Sequence, residues 1–195
     1  MLARRLIPFA LLALAPSAFA DDLCSVDMSA LMNMAPQDFD DGEEGWRQIS
    51  DQEGCQSTAA DLISTYRAKL EAHEASLMHH EAQLRAATGE TEQAITLLEG
   101  AISRTDDRPM VAYHKAEIAF LKADYEALIA AREELASVPK PEGFDEANER
   151  FRIAFPDHPP AVWPMNLDVV DDFIACFDSP YSEAYWGECK TVSGE

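Results

Sequence analysis

Positive charge is scarce in this chain. It holds 15 lysines and arginines against 36 aspartates and glutamates, a formal net charge of −21. Nucleic acid and anionic lipid surfaces are therefore poor partners, because phosphate binding needs clustered cations. The acidity is spread along the whole chain, which fits plain solubility outside the cytoplasm. An electrostatic preference for a basic partner is the sharper alternative. Signatures of catalysis are missing as well. No GxSxG, P-loop or GxGxxG is present, so a nucleophile elbow, a phosphate cradle and a dinucleotide turn all lack support. Carboxylate pairs are too common in this composition to mark an acid–base site. The expectation is a protein that is not an enzyme and carries no cofactor. The absence of CxxC argues against a thioredoxin-like redox centre, and the four cysteines are too widely spaced for a Cys₄ zinc site. Beyond residue 20 no apolar run approaches the ~20 residues that span a bilayer.

The N-terminus reads as an export signal. Arg4 and Arg5 precede the apolar stretch Leu6 to Ala15, and Ala18-Phe19-Ala20 is a small-x-small cleavage site. Cleavage after Ala20 would leave 175 of the 195 residues, enough for one well-packed domain. Loss of Arg4 and Arg5 would take the charge from −21 to −23. The four cysteines, Cys24, Cys55, Cys176 and Cys189, all lie beyond that site. An even count in an exported chain suggests two disulfides. Three connectivities are possible. Cys24–Cys55 with Cys176–Cys189 is the expected one, because it braces both ends of the repeat block described next. No stable membrane insertion is expected once the signal is removed.

Two stretches superpose with an offset of 34 residues. Ala82-x-Leu84 falls on Ala116-x-Ile118, Gly89-Glu90 on Ala123-Asp124, Ala94-Ile95 on Leu128-Ile129, and Ala101 on Leu135. Each copy reads as two helices around a tight turn, a unit that must stack to bury its apolar face. In the first copy Gly89 makes the turn, and Pro109 suits the first turn of the helix that follows. Upstream, residues 25 to 34 suggest a short helix ended by Pro36. Residues 37 to 45 suggest an acidic loop, and Glu43 to Glu53 another short helix. Ser57 or Thr58 can cap a helix running to about His73, with one long bent helix from Thr58 to Ala87 as the alternative. Downstream, residues 143 to 155 predict a polar-faced helix. Pro156, Pro159, Pro160 and Pro164 enforce an extended crossing. Leu167 to Phe177 predicts a further helix, and Ser179 to Glu195 a loop. The chain thus divides into a signal peptide at 1–20, helical hairpins at 21–142 and a helical cap at 143–195.

The 34-residue period, Ala82, Gly89, Ala94-x-x-x-Leu98 and Ala101 resemble the tetratricopeptide-repeat family. A degenerate unit at residues 41 to 74 would precede them, with Cys55 at its turn and Ala60 aligned to Ala94. The family's usual Trp and Tyr in the first helix are replaced here by Met78 and Arg85, then by Ala112 and Ala119. Arg132 also stands where an apolar residue is expected. The resemblance implies an all-α, short right-handed solenoid of two to three antiparallel hairpins with a disulfide-braced helical C-terminal cap. It further implies a concave groove lined by His79, Gln83 and Ala86 from one unit and by Met110, Tyr113, Glu117 and Phe120 from the next. Such grooves hold an extended peptide or a partner helix. The expected partner is accordingly a protein or peptide, a basic one if the charge has a say. The Pro-crossed segment around Trp163 and Trp186 is the next candidate surface.

Two metal readings compete with this. His73, His79, His80 and His114 lie on predicted helices, and the 34-residue spacing of His80 and His114 would set them side by side in stacked repeats. A metal site of His79, His80 and His114, with Met78 or Glu81 added, is the alternative to a metal-free scaffold. HExxH is absent, since Leu77 stands where the second histidine would be. Asp38, Asp40, Asp41, Glu43 and Glu44 surround Gly42, but their spacing is not that of an EF-hand, and a solvated acidic loop is the simpler expectation.

Overall fold

A computed structural model describes residues 24–42, 44–70 and 74–192. The expected signal peptide, Glu43 and His73 lie outside the described residues. Among the described residues the chain is all helix, without a strand, and no helix is long and apolar enough to cross a membrane.

The N-terminal block runs through α1 (Met28–Leu31), α2 (Pro36–Asp41), α3 (Arg47–Ser50) and α4 (Gln56–Leu70). Asp27 caps α1 by accepting from the Ala30 N–H at 3.0 Å. Of residues 37 to 45, expected as an acidic loop, 37–41 belong to α2 instead. Pro36 starts this helix rather than ending the previous one, because a first-turn proline lacks only an N–H that would have no helical partner. The helix is held by Phe39, fully buried and stacked on Tyr66 with ring centroids 3.7 Å apart. The Tyr66 hydroxyl donates to the Met34 carbonyl at 2.7 Å. Of the three connectivities, the structure takes Cys24–Cys55 and Cys176–Cys189, with Cα–Cα distances of 5.6 and 5.8 Å. The first joins the chain ahead of α1 to the start of α4.

The central helices are α5 (Ala75–Ala87), α6 (Thr91–Ile102), α7 (Arg108–Leu121) and α8 (Tyr125–Ala136). Glu74, just before α5, has extended backbone with ψ 133°, so the alternative of one continuous helix to Ala87 does not hold. Packing follows chain order: α4 on α5, α5 on α6, α6 on α7, α7 on α8. The two turns use the left-handed region at equivalent places, Gly89 at φ +83° and Ala123 at φ +53°. Asp107 and Asp124 cap α7 and α8 by accepting from the N–H groups of Met110 and Ala127. Buried Ala82, Ala86, Ala94, Leu98, Ala112, Ala116, Leu128 and Leu135 join the helices in one apolar core. Leu31, Phe39, Ile49, Leu62, Ile63, Tyr66 and Leu77 form a second one under the N-terminal block.

The C-terminal part comprises α9 (Phe144–Ala154), α10 (Leu167–Ala175), α11 (Tyr181–Tyr185) and α12 (Cys189–Val192). Helix α9 buries none of its residues, whereas α10 packs on both α7 and α8. Arg132, unexpected in the repeat pattern, sits on the α8 surface and pairs with Asp171 of α10 at 2.7 Å. The segment after Ser179, expected as loop, is helical at α11 and α12. Tyr181 and Ala184 are buried there, on α10 and against α5. That burial is what stabilises so short a helix, since a single turn has no stability of its own.

Candidate functional site

Helices α5 and α7 each turn one polar face toward α11. On α5, His79 and Gln83 are one turn apart. On α7, Tyr113 and Glu117 are one turn apart, with His114 three residues before Glu117, so all share one side. Tyr181 and Tyr185 of α11 lie over them. The Tyr181 hydroxyl donates to Glu117 Oε1 at 2.7 Å. Gln83 Nε2 is 3.3 Å from the same oxygen and 3.4 Å from the hydroxyls of both Tyr113 and Tyr185.

Glu117 is fully buried, and its other oxygen, Oε2, faces His79 Nε2 at 3.0 Å. The distance is that of an ion pair, and beyond each other neither atom has a hydrogen-bond partner among the described residues. The His114 ring centroid is 4.5 Å from that of His79. Both His114 nitrogens are buried without a hydrogen-bond partner among the described residues. Burial raises the Glu117 carboxyl, but His79, by its charge and as a hydrogen-bond partner, together with His114 and the Tyr181 hydroxyl more than reverses this, and the carboxyl lies below its usual value. Burial, and then the neighbouring His79, pulls His114 down from 6.5 to about 4. Burial and the Glu117 charge push Tyr113 and Tyr181 well above the usual phenol value, so both keep their protons.

Above this floor opens a cleft of about 380 Å³ between α3, α5 and α11. Its walls carry Trp46, Arg47, His80, Gln83, Tyr185 and Trp186, with Asp51 beside them. Trp186 is 73% exposed. The Arg47 guanidinium lies over the Trp46 ring, 4.2 Å from its centroid, and donates to the Asp40 carbonyl. His80 turns away from the buried cluster: its Nδ1 is 2.7 Å from Asp40 Oδ1. Asp40 also accepts from Trp46 Nε1 at 3.2 Å. Burial raises the Asp40 carboxyl, but His80, Ser76 and Trp46 together hold it below its usual value. Asp40 is thus an internal partner rather than part of a solvated acidic loop.

Of the seven residues expected in an open groove, Ala86 is buried in the apolar core, and the other six divide three ways. His79, Gln83, Tyr113 and Glu117 come together, but His79, Tyr113 and Glu117 are buried beneath α11. Phe120 is buried too, stacked on Phe173 at 4.8 Å and edge-on to Phe177 and Tyr181. Met110 lies elsewhere, lining a cavity of about 610 Å³ with Pro139, Trp163 and Asn166. The three histidines of the metal alternative do not converge. His79 and His114 do, with Glu117 rather than His80 as the third group. Trp46, Arg47, Tyr181 and Tyr185 were not expected at the site. The i, i+4 pair Tyr181 and Tyr185 next to Trp186 was the available sign, an aromatic face on residues otherwise read as loop.

Comparison with protein-family models, curated proteins and solved structures finds no match to this chain.

Proposed function

We propose that this is an exported interaction protein that captures a basic peptide segment in the cleft between α3, α5 and α11. The reading takes α5 to α8 as two tetratricopeptide-like hairpins of a right-handed stack, α4 as the helix before them and α10 in the capping place. The disulfides and the signal-like N-terminus support export to a periplasm or the extracellular space. One observation carries the choice of ligand: the Arg47 guanidinium already stacks on Trp46 in this cleft. Trp186 and Tyr185 offer further aromatic faces of the kind that attract cations. The chain's charge of −21 draws a basic segment toward such a cleft.

Short peptides of matched length, basic, neutral and acidic, decide the matter by fluorescence titration. The basic set binds best and loses affinity as salt rises. Trp186→Ala weakens it by roughly tenfold or more while leaving stability nearly unchanged, because the ring is largely exposed. Equal binding of all three sets, or full affinity in the variant, would rule the reading out.

A further inference from the structure

We propose that His79, His114 and Glu117 form a binding site for one divalent transition-metal ion of the zinc type, buried beneath the cleft. One ligand atom from each of these residues lies within 4.8 Å of the others. Both ring nitrogens of His114 are buried without a hydrogen-bond partner among the described residues, and His79 Nε2 and Glu117 Oε2 beside them have only each other, at 3.0 Å. Buried polar atoms are nearly always partnered, so two orphaned nitrogens beside an imidazole–carboxylate pair indicate a missing electrophile. An imidazolium–carboxylate pair of His79 and Glu117 would leave His114 with nothing.

The donor set fits. Two neutral imidazoles and one carboxylate make a familiar zinc ligand set, with donor atoms ~3.3 Å apart around a tetrahedral ion at ~2.0–2.1 Å. Rotation of three long side chains can close the present spread to that edge. The carboxylate is already oriented, because Tyr181 and Gln83 hold Oε1 and leave Oε2 facing His79. Such outer partners are what fix a ligand's direction. The fourth position falls to a water molecule. Gln83, Tyr181 and Tyr185, which also line the cleft, lie between it and the site. His80, the ligand expected beside His114, is engaged by Asp40 instead.

The test uses the full chain purified from an oxidising compartment, stripped with chelator and titrated with Co²⁺ and then Zn²⁺. One Co²⁺ per chain should bind with the visible absorption of a low-coordinate site, be displaced by Zn²⁺, and raise the melting temperature. His114→Leu and Glu117→Gln should each weaken binding by roughly 100-fold or more. His80→Ala should leave it unchanged. His114→Leu replaces an orphaned ring by an apolar group and should fold, which circular dichroism checks. Failure of the wild type to take up either ion overturns the proposal. So does binding that survives His114→Leu but is lost in His80→Ala. Peptide capture in the cleft is measured separately, so either reading can fail alone.

Discussion

His80 and His114 hold equivalent places in α5 and α7, yet their surroundings are opposite. His80 is partly exposed, tilted against Trp46, and bonded to Asp40. His114 is 2% exposed and has no hydrogen-bond partner among the described residues. The contrast extends along both helices. Glu81 and Arg85 of α5 are buried in an ion network with Arg67 and Asp61 of α4. Their equivalents in α7 are Lys115, which pairs with Glu134 at the surface, and Ala119, which is buried. The backbone pattern is shared, but the neighbour is not. At these positions α5 meets α4, which supplies Arg67 and Asp61, whereas α7 meets α8, which supplies Glu134 and alanines. Equivalent repeat positions therefore carry no equivalent roles; the element stacked on each one decides.

Breaking what the two halves share has the largest expected effect. Leu98 of α6 is 1% exposed in the core that joins both pairs. Leu98→Asp buries an unpaired charge and should destabilise by about 3–5 kcal/mol. Urea unfolding followed by circular dichroism should lose its cooperative transition. A wild-type-like curve would mean that the two pairs do not depend on this core.

Acid should separate the two histidine sites by pH window. With chelator present, His114 has a folded pKa of about 4 against 6.5 unfolded. The unfolded chain takes up that proton first, so this stability is complete above pH 6.5 and falls away toward pH 4. The size is on the order of 3 kcal/mol. The groups that set it are His79, Glu117 and His80. His114→Leu should remove the slope in this window. The α5 side behaves differently, because the Asp40 carboxyl is lowered when folded. Its contribution is present above its unfolded value near 3.8 and is lost only as pH falls further. Chemical denaturation across pH 3 to 7 checks both. An unchanged slope in His114→Leu would place the acid sensitivity elsewhere.

The smallest effect tests the turns. Gly89 and Ala123 both take positive φ, which only glycine adopts without strain. A Cβ at Gly89 meets nothing within 4 Å, so Gly89→Ala isolates the conformational term. It should cost about 1 kcal/mol. Ala123→Gly should gain less than that, because glycine also loosens the unfolded chain. Denaturant midpoints measure both. Equal and opposite shifts would mean that unfolded-state entropy is negligible at these turns.

Helices α5 to α8 were legible because their signals are local. Gly89, Asp107-Arg108-Pro109 and the alanine-rich apolar spacing act within a few residues, and the observed boundaries follow them. Helix α2 was hidden because Pro36 can end one helix or begin another, and Phe39 on Tyr66 settles which. Helix α11 was hidden because its stability comes from Tyr181 and Ala184 packing against distant residues. The site was legible in part. The repeat offset put histidines on neighbouring helices, but it named His80 where Glu117 stands.

Local signals suffice for an all-helical fold of the described residues, for cysteines able to brace both ends and for a strongly acidic surface, because capping, periodicity and charge count are properties of short segments. Packing settles that α11 lies across the polar face of α5 and α7, that His80 answers to Asp40, and that His79, His114 and Glu117 meet in the interior. Those outcomes depend on which surfaces are left exposed once the local helices exist. Burial then fixes which polar groups find partners and which go without, as the two ring nitrogens of His114 do.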